Sequence, residues 1–257
     1  MVPKLVFIPT IGRTQSQHTW ESFPADLREV TTLVCPASEV EEHLSRGRNA
    51  IACPATGIAA TRQWICENSE SRTLIMCDDD HKWFVRAKPD AYNLRPCTLS
   101  EVGVLFSDMR SLLVEYPLVG VSRRQHNNAH FPAKIKTVTR QCNIHGVDVR
   151  AMENIGCRWD DLPLMEDFHI TLSFLERGHA NAMIVDRAWD QHASNAAGGC
   201  STYRNNDLQE FSAKRLQEIH PRFVDLVTKE SKTGWENMKV RTDVRVAWKK
   251  AFNSGRH

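Results

Sequence analysis

The chain has 257 residues, of which 41% are hydrophobic and 25% charged, a composition that excludes disordered and fibrous classes and allows one full α/β core or two small ones. The formal net charge is +2 but unevenly placed: residues 222–257 carry nine Lys and Arg against four Asp and Glu, +5, which leaves −3 for residues 1–221. The first dozen residues hold only a four-residue apolar run stopped by Pro9, too short for a signal core or a membrane span, so a cytosolic protein with eight reduced cysteines and no membrane partner is expected.

In chain order, Leu5 to Ile8 is a β-rich run that ends in Pro9-Thr10-Ile11-Gly12-Arg13, a loop with a hydroxyl, a glycine and a cation suited to meeting a nucleotide. Helical signal follows around Trp20 to Val30, and Thr31 to Cys35 reads as a second strand. Ser38 with Glu41 predicts a capping box, and Ala50 to Cys53 a third strand. Gly57 to Asn68 has helical spacing, and Thr73 to Cys77 supplies a fourth strand. Strand and helix in alternation predict right-handed crossovers and a mainly parallel sheet.

That fourth strand breaks abruptly into Asp78-Asp79-Asp80. A buried strand that hands carboxylates to its C-terminal end marks the crevice where open α/β sheets bind ligands. In an extended chain Asp78 and Asp80 point to one side and can share a divalent cation, and hard oxygen ligands favour Mg²⁺ or Mn²⁺. An acidic turn in water is the plainer reading of the same three residues. No Cys-x-x-Cys pair occurs, and Cys142-Asn143-Ile144-His145 lacks a second pair, so structural zinc is not expected.

Beyond the acidic residues, Thr98 and Glu101 form a capping box for a helix whose Val102, Leu105, Phe106, Met109, Leu112, Leu113 and Tyr116 make one apolar stripe. Leu118 to Val121, Ile135 to Thr139 and Val147 to Val149 read as shorter strands that include antiparallel pairs, and Ser122 to Asn128 as either an acceptor loop or a solvated connection. Glu166-Asp167-Phe168-His169 opens a helix, where two acids are stabilised by the dipole or serve as a general base. Ala182 to Val185 is a strand, Trp189 to Gly199 a loop, and Asn206 caps a helix that runs to Ile219. The basic remainder is read as helical, packed on a single domain spanning residues 1–221.

Taken together, Ile8 to Arg13, Gly57-Ile58-Ala59-Ala60-Thr61-Arg62 and Leu74 to Asp80 resemble the nucleotide-sugar glycosyltransferases of the GT-A fold, the last segment looking like that family's Asp-x-Asp motif. The wording around Asp78 to Phe84 is similar, more narrowly, to the phage TET-associated glycosyltransferases. The resemblance implies a Rossmann-like α/β sheet with an antiparallel acceptor-side extension, and metal-dependent transfer of sugar from a donor such as UDP-glucose. It implies an acceptor in double-stranded DNA, the hydroxymethyl group of a modified pyrimidine such as 5-hydroxymethylcytosine, in the host cytoplasm if phage-encoded.

Residue by residue, it implies Asp78, Asp80 and His192 as metal ligands and Thr10, Arg13, Arg62 and Asp79 on the donor, with Asp167 as base or Glu166 in its place. A lone histidine is as often structural, and Arg62 on a helix surface is a plain charge. A DNA acceptor would employ Arg241, Arg245, Lys249 and Lys250 on phosphates, with Arg123 and Arg124 near the acceptor. Two alternatives stay open: the same donor chemistry on a protein, glycan or small molecule, and a DNA-binding module with an inert acidic cluster. A nucleotidyltransferase fits less well, because the first loop lacks further glycines and a signature lysine.

Overall fold

The computed structural model describes residues 5–89, 91–191, 205–230 and 240–256. The elements run β1 Val6–Pro9, α1 His18–Glu21, α2 Ala25–Glu29, β2 Thr31–Cys35, α3 Ala37–Ser45, β3 Ala50–Ala52, α4 Ile58–Asn68, β4 Thr73–Cys77, β5 His81–Arg86, β6 Leu94–Pro96 and α5 Leu99–Leu112. They continue with β7 Leu118–Arg123, β8 Ile135–Thr137, β9 Ile144–Asp148, α6 Val149–Ile155, α7 Glu166–Glu176, β10 Ala182–Gln191, α8 Asn206–Ile219, β11 Val224–Glu230, β12 Val240–Val246 and α9 Trp248–Ser254.

The central sheet has the order β3-β2-β1-β4-β9-β7-β10-β5-β6, with β8 on the side of β10. The first four strands are parallel neighbours, and β9, β5 and β8 run against the direction of the other seven. The sheet is thus largely parallel, with its reversed strands gathered on one side of β4. Alternation fills both faces: Val6, Ile8, Ile75 and Cys77 pack toward α5, while Phe7, Leu74 and Met76 pack toward α4, α6 and α7. Both faces are covered by helices, which is why β4 reads as a continuous apolar run.

Several expectations are corrected. No capping box forms at Ser38, because Pro36 takes the N-cap position of α3 with extended backbone and no side-chain bond. Phe23-Pro24 divides the Trp20 to Val30 helix into α1 and α2, since proline ends a helix at the preceding residue. The side chain of Asn205, rather than Asn206, caps α8. The strand expected near Val147 starts at Ile144, and β5 was not anticipated. Residues Trp189 to Gln191, expected in a loop, extend β10, where they pair with His81 to Trp83 of β5. The Ser122 to Asn128 run is no free loop: it ends β7 and forms a 3-10 turn, in which buried Asn127 donates to Val185 and Arg187 carbonyls and Arg86 donates to Asn127 and Asn128.

The basic C-terminal segment is not helical as expected. It begins with an antiparallel pair, β11 and β12, and only then forms the short α9. Val240, Thr242, Val244 and Val246 alternate with Arg241, Asp243 and Arg245, a period of two that suits a half-buried strand. Val244 and Val246 join Leu172 and Leu175 of α7, Ala213 and Leu216 of α8 and Ala251 of α9 in a third hydrophobic cluster. Among the described residues, no helix is long and apolar enough to cross a membrane.

Candidate active site

The Asp78-Asp79-Asp80 segment is a turn between β4 and β5, so the extended-chain argument for Asp78 and Asp80 facing one way does not apply. Buried Thr19 braces that turn, donating its hydroxyl to the Asp78 carbonyl at 2.6 Å, while its backbone N–H reaches the Asp79 carbonyl and its Oγ1 receives the His81 N–H. The three carboxylates then part company. Asp78 accepts from Arg62 Nη2 at 2.9 Å and from Asn143 Nδ2 at 2.7 Å. Asp79 accepts from the Thr10 hydroxyl at 2.6 Å and from Arg13. Asp80 lies 3.4 Å from Arg13 through Oδ2, and its Oδ1 is buried with no hydrogen-bond partner.

Thr10 and Arg13 therefore meet Asp79 rather than open solvent, and Gln17 locks the loop by donating to Thr10 Oγ1 and to the Arg13 carbonyl. Burial pushes the Asp79 carboxyl up to about 6 against the opposing pull of Arg13 and the Thr10 hydroxyl. Arg62 is 3% exposed, which removes the surface-charge reading. Its guanidinium bridges Asp78 and, at 2.6 Å, Glu166 Oε1, joining residues 104 apart in sequence. Truncation of one partner in such a buried pair commonly costs about 3–5 kcal/mol, because the other charge is left unpaired.

Glu166 and Asp167 occupy the first turn of α7, immediately after Met165 in left-handed backbone at φ 63°. Asn143, at φ 62°, is the other left-handed residue touching the cluster. Backbone conformations that cost a kcal/mol or more tend to persist at functional sites. Asp167 lies 3.3 Å from Arg140, whose guanidinium stacks 4.1 Å over the Phe168 ring. Asn143, Arg140, Thr19 and Gln17 were not anticipated; only the tolerance of asparagine for left-handed backbone gave a hint.

Arg62, Asp78, Arg140, Asn143, Glu166, Asp167 and Phe168 line a polar cavity of about 570 Å³, within the usual size of a small-molecule site, while Thr10, Arg13, Asp79 and Asp80 lie outside its lining. Its walls include Arg62, Asp78, Glu166 and Asp167 on one side and Lys229, Arg241, Asp243 and Trp248 from the C-terminal segment on the other. Arg123 also lines it, 5.6 Å over the Trp189 ring, whereas Arg124 stacks on Phe84 and approaches Asp190 at 3.5 Å. Arg245 pairs with Asp225, both of them exposed, and Lys249 and Lys250 are exposed on α9. His192 lies outside the described residues. Among the described residues, no three His, Cys, Asp or Glu side chains form a metal-binding group. The chemistry of Asp80 nevertheless fits a hard cation: a buried, unpartnered carboxylate oxygen, with unused acceptor capacity on neighbouring Asp78.

Behind the cavity a chain of four groups ties α7 to α8. Asp161 meets His169 Nε2 at 3.0 Å, His169 Nδ1 meets His220 Nε2 at 2.9 Å, and His220 Nδ1 meets Glu176 at 2.6 Å. The short nitrogen–nitrogen contact requires a proton between the rings. Burial and the neighbouring His220 lower His169 to about 4 despite Asp161.

The fold is shared with solved structures. Glucosyl-3-phosphoglycerate synthase from Mycobacterium tuberculosis, in complex with Mg²⁺ and uridine diphosphate, is 8% identical with a TM-score of 0.52, over 95% of this chain and 88% of that one. GalNAc-T7 with UDP, GalNAc and Mn²⁺ is 8% identical with a TM-score of 0.52, over 84% of this chain and 48% of that one. At such identity the likeness speaks for the fold alone, the GT-A arrangement expected from the sequence. No curated protein matches significantly by sequence. The model of the TET-associated glycosyltransferases matches residues 5–199, most of the chain including the acidic turn and the start of α7, and the chain belongs to that family of enzymes.

Proposed function

We propose that this glycosyltransferase moves a sugar from a nucleotide sugar, of the UDP type, to the hydroxymethyl oxygen of a modified pyrimidine such as 5-hydroxymethylcytosine in phage DNA. The family assignment supports the reaction class, and the Asp78–Arg62–Glu166 bridge carries the reading: it joins Asp78, at the end of β4, to the first acid of α7, and both line one cavity with Asp167. Uridine diphosphate with Mg²⁺ or Mn²⁺ in structures of the same fold supports the donor class and the metal. DNA as the acceptor follows the family name and the basic C-terminal segment.

In this reading Asp80 and Asp78 would hold the divalent ion, with His192 as a third ligand, and the bound ion supplies Lewis-acid stabilisation of the departing diphosphate. Thr10, Arg13 and Asp79 form the loop against which the base and ribose of the donor lie. Arg62 keeps Asp78 and Glu166 fixed and places a positive charge near the diphosphate. Asp167 is favoured over Glu166 as general base, because the Glu166 carboxylate is committed to Arg62 at 2.6 Å. The acceptor hydroxyl oxygen forms a bond to the anomeric carbon, its proton passes to Asp167, and the diphosphate leaves with the electron pair of the broken C–O bond.

Mass spectrometry of nucleosides from hydroxymethylcytosine DNA, after incubation with the enzyme, Mn²⁺ and a panel of sugar nucleotides, tests the proposal. A sugar-sized mass gain on the modified base supports it. Consumption of a sugar nucleotide without any gain on DNA would discard the DNA acceptor and favour a protein, glycan or small-molecule acceptor.

A further inference from the structure

The matched family region ends at residue 199, yet seven of the nineteen residues that line the cavity lie beyond it. We propose that this C-terminal wall is the acceptor subsite: an extruded pyrimidine stacks on Trp248 while Lys229 and Arg241 hold the adjoining phosphate. The inference deepens the proposed DNA acceptor and rests on it.

Lys229 and Arg241 are direct cross-strand partners of β11 and β12. Like charges placed opposite each other weaken a hairpin, so this pairing has a structural cost that packing does not explain. One largely buried carboxylate, Asp243, holds both cations, at 2.9 Å from Lys229 and 3.2 Å from Arg241. Two cations on one anion leave a surplus positive charge at the cavity wall, the complement of a phosphate. The aromatic part is equally local. Arg140 covers Phe168, Phe168 lies 5.7 Å from Trp248 between ring centroids, and partly exposed Trp248 ends the pile inside the cavity. Arg140 also holds Asp167, so the same pile that offers a ring face to the base sits beside the carboxylate that would take the acceptor proton.

A volume of about 570 Å³ accommodates a nucleotide-sized group and not a duplex, so in this proposal the base leaves the stack to enter the cavity. Stacking on an aromatic side chain tolerates any pyrimidine and requires no hydrogen-bond reading, while the Lys229–Arg241 pair recognises the backbone alone. Selection of the modified base then falls to the hydroxymethyl oxygen itself, the atom presented to Asp167.

The test is the ratio of sugar transferred to sugar nucleotide consumed, on a duplex oligonucleotide with a single hydroxymethylcytosine and Mn²⁺. Trp248→Ala should lower the ratio about tenfold or more, with Trp248→Phe restoring most of it, as expected for loss of a stacking face. The double variant Lys229→Gln with Arg241→Gln should raise the oligonucleotide KM and flatten its dependence on salt. The side chains of these last two residues, at the cavity wall, are 51% and 37% exposed, and they keep the test valid if Trp248→Ala fails to fold. A wild-type enzyme that glycosylates the DNA while both kinds of variant keep its ratio and salt slope would overturn the subsite alone. A wild-type enzyme that consumes donor and never modifies DNA would overturn the DNA acceptor and the subsite with it.

Discussion

The two sides of the proposed site, donor and acceptor, are built by different means. On the donor side, Asp78, Asp79 and Asp80 follow directly on a buried strand, and each engaged oxygen is fixed by a donor from another element: Arg62 of α4, Asn143 before β9, Thr10 after β1. On the acceptor side, β11, β12 and α9 pack in their own hydrophobic cluster and join the main body mainly through α7 and α8. At that seam Gly178, at φ +79°, and Gly255 approach backbone to backbone, where a Cβ on either would lie within 2.5 Å of a main-chain atom, and the Asp161–His169–His220–Glu176 chain adds polar links beside the apolar contacts. The contrast teaches that the proposed donor side is braced by the sheet and the elements beside it, while the proposed acceptor side rests on α7 and α8.

The largest break of the comparison is on the donor side. Asp80→Ala removes the unpartnered carboxylate oxygen and should cost about a thousandfold or more in sugar transfer, measured as initial rate at saturating Mn²⁺. Arg62→Met leaves Asp78 and Glu166 buried beside each other without their shared cation. It should destabilise the fold by about 3–5 kcal/mol in urea unfolding and abolish transfer.

Asp167→Asn sharpens the division between walls. It keeps the contact with Arg140 but cannot accept the acceptor proton, so transfer should fall about 10² to 10⁴-fold in single-turnover rate. An unchanged rate would pass the role to Glu166. Gly178→Ala attacks the seam itself: strained backbone and collision with Gly255 should cost about 1–3 kcal/mol and expose α9 to limited proteolysis before the central sheet.

The smallest effect is the response to acid. His169 titrates near 4 in the folded chain against the ordinary 6.5, so between those values the unfolded chain binds the extra proton. Stability contributed at this group is therefore complete above pH 6.5 and is lost as the pH falls toward 4. His169→Gln should flatten that part of a melting-temperature profile; an unaltered slope would assign it to other groups.

The donor wall was legible in the sequence because its signals are local. An apolar pentapeptide ending in three aspartates, a loop closing β1 and a helix after Gly57 are all contiguous. What escaped were the non-local braces, such as Asn143 to Asp78 or Thr19 under the turn, since nothing in a single sequence links residues 59 or 65 positions apart. The tight turn at Asp78 to Asp80 also overrode the simple alternation expected of an extended chain. The acceptor wall was misread for another reason. Its basic composition suggested a solvated helix, although the alternation of valines with charges from Val240 to Val246 already carried the period of a strand.

The central claim, that the end of β4 organises a metal-dependent donor site, is tested most directly by calorimetric titration of UDP into the enzyme with and without Mn²⁺, for wild type and Asp80→Asn. The account predicts binding that requires Mn²⁺ and weakens at least a hundredfold in the variant. Equal binding by both proteins, with no dependence on Mn²⁺, would contradict it.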